Sequence, residues 1–493
     1  MNLRRPNKLT LRGLWLTLLM LTAVVTIQWQ TPAAAAQAKP YDQLTFPALP
    51  EVEIPEYTQF TMDNGITVFL MEDRELPLVS GQAMFYTGDR LEPMDQVGLA
   101  DLVGTVMRSG GTQTHGPDEL NQELEQRAAS IETGIGRSIA TAQFRALSPD
   151  TDAVLSLFAE VLRQPAFNAE QLSLAKTQLQ GSIARRNDSP DDIARREFRK
   201  LIYGDESPYG RTVEYETLEA IARPDLIEFY QQYFVPNNMM LGIVGDFKTD
   251  EMRAKLEETF GSWKRDPNFK RPPLPEVTAA QEGGIFIIDR PQVTQSNVLM
   301  GHLGGQFDSP DYAALSVMNE VLNGFGGRLF NEVRSRQGLA YSVYGFWSPR
   351  YDYPGIFVAG GSTRSDATVP FIQAIRKELQ EVRNTPVTPE ELQAAQDAVL
   401  NSFVFNFAEP SQTLSRIMRY TYYGYPEDFI FQYQKGIENT TIADVQRVAQ
   451  TYLQPEDIVT LVVGNEAEID PPLTALSEGA KVTAIDITIA GES

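Results

Sequence analysis

No cysteine occurs in the sequence, and histidine occurs only twice, at His115 and His302. The first absence excludes disulfides, thiol nucleophiles and cysteine-ligated zinc or iron–sulfur centres. The second excludes a metal site built on two histidines four residues apart on one helix. Positive charge is scarce too: 42 Lys and Arg stand against 65 Asp and Glu, a net charge of −23 over 493 residues. A nucleic-acid backbone would be repelled by that balance. Long apolar runs reduce to one, LWLTLLMLTAVVTI at residues 14–27, which is short for a membrane span.

What is present begins with that run. It follows the basic start MNLRRPNKLTLRG and precedes the small residues of TPAAAAQA, the three-part layout of a secretory signal peptide. Residues 1–36 are therefore expected to be a signal peptide and 37–56 a Pro-rich lead. An uncleaved anchor is the alternative. Pro6 and Asn7 follow Arg4-Arg5 where a twin-arginine signal is apolar. The expected mature chain is exported and soluble, in the periplasm or another extracytoplasmic space, with no membrane attachment after cleavage. Its 42% hydrophobic and 22% charged residues suit a globular protein too long for one core.

Hydrophobic spacing outlines the elements. FTMDNGITVFLMED alternates as strand about an Asn64-Gly65 turn, and LVSGQAMFYTGDRLEP reads as the next strand. GLADLVGTVMRSGGT (98–112) has a buried helix's spacing and a Gly-Gly stop, with Asp101 near its start and Gly104 in its middle. ELNQELEQRAASIE reads as an amphipathic helix, SIATAQFRALS as a strand, and DAVLSLFAEVLRQP and NAEQLSLAKTQLQGSIARRN as helices. One statement then occurs twice: IEFYQQYFVPNNMMLGIVGDF returns about 220 residues later as VQRVAQTYLQPEDIVTLVVGNEAE. Pro165, Leu172 and Pro236 keep register with Pro386, Leu392 and Pro455. Two homologous halves are expected, 57–262 and 284–470, joined by a Pro-rich linker, 263–283. A tail, 471–493, contains KVTAIDITIA, an extra strand or a loose end. Strands with pairs of helices predict an α+β fold with helices segregated on one sheet face.

The order of DNGITVFLMED, GDRLEP and GLADLVGTVMRSGGT, then RPQVTQSNVLMG and LFNEVRSRQGLAYSVYG, resembles the pitrilysin/insulinase family of zinc metallopeptidases. Within it, the chain is similar to the half-size bacterial subunits related to mitochondrial processing peptidase. The likeness covers nearly the whole mature chain and implies two homologous α/β-roll halves, each an antiparallel-rich sheet with helices packed on one face, forming half of a clamshell. Active members carry H-x-x-E-H on the counterpart of the 98–112 helix, two zinc ligands around a glutamate that activates water. Here those positions hold Asp101, Gly104 and Thr105. The third ligand, a downstream glutamate, should fall near Gln178–Ser182, yet 171–187 contains no Asp or Glu. The resemblance thus implies no metal ligand and no cofactor in this chain, with zinc expected in a partner subunit. Asp101 is then a helix N-terminal acid favoured by the dipole. Gly104, costing about 1 kcal/mol against Ala, is explained by close helix–sheet contact.

Family members complete the active site with an arginine and a tyrosine seven residues apart, from the half without metal. EVRSRQGLAYSV supplies Arg334 and Tyr341 at that spacing. GGRLFNEVRSRQ is expected to be a helix stopped by Gly338, and LAYSVYGF a strand running back, so both side chains face one point. The resemblance implies that they donate hydrogen bonds to the developing oxyanion of a scissile peptide. On residue type alone, such an arginine is ordinarily a dipole or ion-pair partner and such a tyrosine half-buried packing. Arg336 has the wrong offset and is expected to face solvent. NGFGGRLF is either a substrate-side glycine loop, as in the family, or an ordinary helix start.

The expected function is the non-zinc-binding subunit of an exported heterodimeric metallopeptidase, inactive alone. It would bind unfolded peptide at a sheet edge and supply Arg334 and Tyr341 to the zinc site of a homologous partner carrying the intact motif. The alternative is a non-catalytic peptide-binding or structural core-type protein of the same fold. An independent hydrolase has no nucleophile-elbow pattern to support it.

Overall fold

The computed structural model describes residues 54–491, apart from residue 325; the expected signal peptide and most of the Pro-rich lead lie outside the described residues. The first sheet contains β1 (Thr58–Thr61), β2 (Thr67–Glu72), β3 (Leu78–Phe85), β4 (Ser130–Ile135), β5 (Ala140–Leu147) and β6 (Met239–Gly245), in the order β1-β2-β6-β3-β5-β4. The second contains β7 (Ile285–Asp289), β8 (Gln295–Leu303), β9 (Ala340–Ser348), β10 (Ile356–Arg364), β11 (Val459–Gly464) and β12 (Val482–Ala484), in the order β12-β7-β11-β8-β10-β9. The run β2-β6-β3-β5-β4 thus recurs as β7-β11-β8-β10-β9, including the parallel pairs β2/β6 and β7/β11. The outermost strand is what differs. β1 precedes the repeated unit and pairs antiparallel, whereas β12 comes from the tail and pairs parallel.

Alternating residues on each strand serve different layers. Val68, Leu70, Ala83, Phe85, Leu241 and Ile243 face the main core of the first half, with helices Leu99–Ser109 and Thr151–Arg163 among those packed there. Their sequence neighbours Phe69, Met71, Met84, Met240 and Val244 point to the opposite face, onto Leu414, Ile417 and Met418 of the helix Pro410–Tyr423. The second sheet mirrors this: Leu299, Leu461 and Val463 meet Ile193, Ala194 and Phe198 of the helix Pro190–Tyr203. Each half lends one helix to the far face of the other's sheet. Helices therefore lie on both faces of each sheet, where the sequence predicts them on one; Ile54 and Tyr57 join the exchanged helix on the first sheet, and Ile485 and Ile487 on the second.

Neither exchanged helix declares its bridging role in the sequence, although Pro190–Tyr203 is amphipathic, with Ile193, Ala194, Phe198 and Ile202 buried on one face behind its charges. Its start is well signalled locally: Ser189 Oγ accepts from Asp192 N at 3.3 Å and Pro190 occupies the first turn. A second departure is β4. The helix expected through residue 132 ends at Gln126, Ala128 turns the chain at φ 48°, and an edge strand begins at Ser130. The polar pattern of SIETGI, with Ile131 its one fully buried side chain, conceals that strand.

The halves are locked by buried polar contacts within one compact unit that contains all the described residues. Arg90 of the first half, its side chain wholly buried, pairs with Asp352 of the second at 2.7 Å. Asp352 also accepts from Ser138 Oγ at 3.1 Å, and the Tyr422 hydroxyl donates to the Ser138 carbonyl at 2.8 Å. The tail returns to the first half, where Ile489 is buried in the core and Asn187 Nδ2 donates to the Ile487 carbonyl at 2.8 Å.

Candidate functional site

In the first half, Asp101, Gly104 and Thr105 lie on the helix Leu99–Ser109. Its N-terminus is capped from a distance: Glu92, a buried carboxyl, accepts from Gly98 N at 3.2 Å and from Ala100 N at 2.9 Å. Burial outweighs these bonds and pushes the Glu92 pKa up to about 7. A Cβ on Gly104 would stand 2.8 Å from Ile135 N and 2.9 Å from Gly134 Cα, both backbone atoms of β4. Thr133 Oγ1 completes the seam by donating to the Gly104 carbonyl at 2.6 Å. The helix has settled onto the edge strand as closely as a residue without a side chain allows. A glutamate at position 104 does not fit without moving β4.

Asp101 is open to solvent on the helix surface, yet the surrounding protein withholds enough water to raise its pKa, and the negative charge of Asp89 adds to this. It lines a pocket with Leu179 and Ser182 of the helix Ala169–Ala184. Asp101 and the 178–182 stretch thus share one pocket, which Thr105 does not line, and between them they offer one carboxylate, a serine and an aliphatic side chain. That set does not fit zinc. Among the described residues no group of three or more His, Cys, Asp or Glu side chains is placed to hold a metal ion.

Both histidines are engaged structurally. His115 Nδ1 lies 2.8 Å from Glu160 Oε2, tying the loop after the helix to Thr151–Arg163. His302 is buried in β8, and burial lowers its pKa. Its Nδ1 meets the Leu303 carbonyl at 2.9 Å while Nε2 accepts from Gln454 N at 3.2 Å, the pattern of a neutral ring.

In the second half, Arg334 sits on a wide π-type turn, Phe330–Arg336, stopped by Gly338 at φ +63°. Tyr341 is the second residue of β9. Ser362 pairs with Ser342 and Thr363 with Ala340, so Tyr341 is the extra residue of a β-bulge. The bulge turns its side chain out to 84% exposure. The Arg334 guanidinium carbon lies 4.8 Å from the Tyr341 ring centroid and 4.8 Å from that of Phe330. The two side chains do meet. Among the described residues neither the guanidinium nor the phenol hydroxyl has a hydrogen-bond or ion-pair partner. Arg336 is exposed and pairs with Glu332 at 2.5 Å.

Residues 70–214 match the family described as insulinase (peptidase family M16), and residues 220–399 match the peptidase M16 inactive domain. The chain belongs to the M16, insulinase-like peptidase family. A Bacillus subtilis relative named "Uncharacterized zinc protease YmxG" is 22% identical over 73% of this chain and 86% of its own length. The Helicobacter pylori "Non-peptidase homolog YmxG" is 23% identical over 81% and 92%. The crystal structure of a peptidase M16 inactive domain from Pseudomonas fluorescens, 24% identical, superposes with a TM-score of 0.74 over 83% of this chain and 98% of that one. The likeness to that structure bears on the fold, two six-stranded mixed sheets with helices, and no further.

Sequence reading passed over three further residues that line the first-half pocket: Glu92, Arg199 and Arg211. The signal was a basic cluster, Arg185–Arg186 and Arg195–Lys200, in an otherwise acidic chain. No described helix is long and apolar enough to cross a membrane.

Proposed function

We propose that this chain is the metal-free member of a paired, exported M16 peptidase. It binds unfolded peptide and presents Arg334 and Tyr341 to the zinc-bearing active site of a homologous partner. What supports the reading most is the Arg334–Tyr341 contact itself. A π-type turn and a β-bulge, two irregularities that recur at functional sites, hold a guanidinium and a phenol together with their donors free. A tyrosine serving packing has no reason to be 84% exposed. In the partner's site the two donors would hydrogen-bond to the peptide carbonyl oxygen as it gains negative charge, while hydrolysis itself uses the partner's zinc and water. This chain would contribute no ligand and no general base.

A second reading, a scaffold or peptide-binding protein without catalytic role, is favoured by the name of the Helicobacter pylori relative, a non-peptidase homolog. Co-expression with an M16 chain bearing H-x-x-E-H separates the two. Arg334→Ala or Tyr341→Phe should each lower turnover of the pair by about 10²–10³, the usual effect of deleting one oxyanion donor. Full turnover by both variants would leave the scaffold reading.

A further inference from the structure

We propose that the pocket at the degenerate metal position holds the carboxylate of an acidic side chain on an extended peptide, with Arg199 and Arg211 as its main partners. The inference rests on the peptide-binding part of the function proposed above and adds the class of side chain preferred.

The cavity has a volume of about 460 Å³, ample for one side chain and its neighbours. Five arginines line it: Arg137, Arg186, Arg196, Arg199 and Arg211. Three are already paired. Arg137 is 3.4 Å from Asp89 and also donates to the Pro208 carbonyl, Arg186 pairs with Glu214 at 2.8 Å, and Arg196 pairs with Glu197 at 2.7 Å. The other two lack a committed counter-ion. Arg199 has no hydrogen bond or ion pair with any described residue. Arg211, its side chain 8% exposed, spends Nη2 on the Asp89 and Glu92 carbonyls, while its buried Nε has no partner. Its nearest carboxylate is Glu92 at 3.8 Å, whose oxygens are taken by two backbone amides. Arg199 is open to solvent by area, yet the protein around it withholds enough water to lower its pKa, and the like charge of Arg137 adds to this, the condition an incoming anion relieves.

Geometry ties the pocket to a peptide rather than to a free ion. Ile135, the last residue of β4, and Arg137 just beyond it form part of the lining. β4 is the outer strand of its sheet, so a peptide strand added there runs to the pocket mouth. The chain's net charge of −23 repels acidic peptides at long range but is screened beyond about 8 Å, so any preference for acid arises locally.

Fluorescence anisotropy on the purified full-length chain tests this with two labelled extended peptides, uncharged and identical except for one central Glu or Gln. The Glu peptide should bind about tenfold or more tightly at low salt. Arg199→Gln, at an exposed position that folding tolerates, should abolish the preference, and Arg199→Lys should restore part of it. Equal binding of the two peptides overturns the pocket but leaves peptide binding standing. Binding of neither overturns both. Preference surviving in Arg199→Gln and in Arg211→Gln overturns the assignment to these arginines. Saturation by inorganic sulfate without any difference between the peptides reduces the site to one for a free anion and also overturns it.

Discussion

The two edge strands β4 and β9 occupy the same place in matching sheets and have been finished in opposite ways. Beside β4, the helix Leu99–Ser109 presses its Gly104 against the strand backbone, with no room for a Cβ between them. Along β9, a bulge lifts Tyr341 out of the sheet to lie against Arg334. The first half has no room for a glutamate at position 104, where the family resemblance would place one. The other keeps an exposed tyrosine and a half-buried arginine whose donors have no hydrogen-bond partner among the described residues. The close approach of β4 to Gly104 means that restoring a larger side chain there requires the strand to shift as well. The Arg334–Tyr341 arrangement persists at a local cost in regular hydrogen bonding, which a plain surface would not need.

That contrast can be strained first where the halves meet. Asp352→Ala strands the wholly buried Arg90 guanidinium without its counter-ion. A loss of about 3–5 kcal/mol is expected in chemical denaturation, and both halves should weaken together. A loss confined to one half would show that they fold independently.

The next largest effect belongs to the first half alone. Folded Glu92 keeps its proton up to about pH 7, whereas the unfolded carboxyl releases it near 4.5. The native state binds more protons between those values, so stability falls as pH rises from about 4.5 to 7. The Glu92 contribution is fully present below that window and lost above it, up to about 3 kcal/mol in all. Stability measured across the window should decline in the wild type and be flatter in Glu92→Gln. Equal slopes would mean that the Glu92 carboxyl ionises normally.

Smaller still is the effect of Gly104→Ala. Propensity alone predicts a gain of about 1 kcal/mol, but contact with the β4 backbone predicts a loss of about 1–3 kcal/mol. Thermal denaturation decides the sign. A stabilised variant would mean that the helix does not sit as tightly on β4 as described.

Much of this was legible in the sequence. Repeated Pro and Leu landmarks pointed to two homologous halves, because a helix stop and a strand end need the same residues in both; the order of strands within each sheet was not readable from them. The spacing of Arg334 and Tyr341 foretold their encounter, since a helix–glycine–strand turn brings such positions together. The means were not legible: a π-type turn and a bulge are backbone irregularities that leave no periodic trace. Nor were the helices Pro190–Tyr203 and Pro410–Tyr423 readable as bridges, because the sheet each one covers lies in the other half of the chain. The arginine pocket was missed for a similar reason. Arg137, Arg199 and Arg211 are brought together by folding from separate elements.

The second half is proposed to act where the first cannot. Turnover by the pair formed with an H-x-x-E-H chain, measured side by side for Thr105→Ala and Arg334→Ala, tests it most directly. Thr105 is an exposed remnant of the metal motif, so its variant should match the wild type. Arg334→Ala should fall by about 10²–10³. Equal turnover from the two variants, or a larger loss from Thr105→Ala, would contradict the division of labour proposed for the two halves.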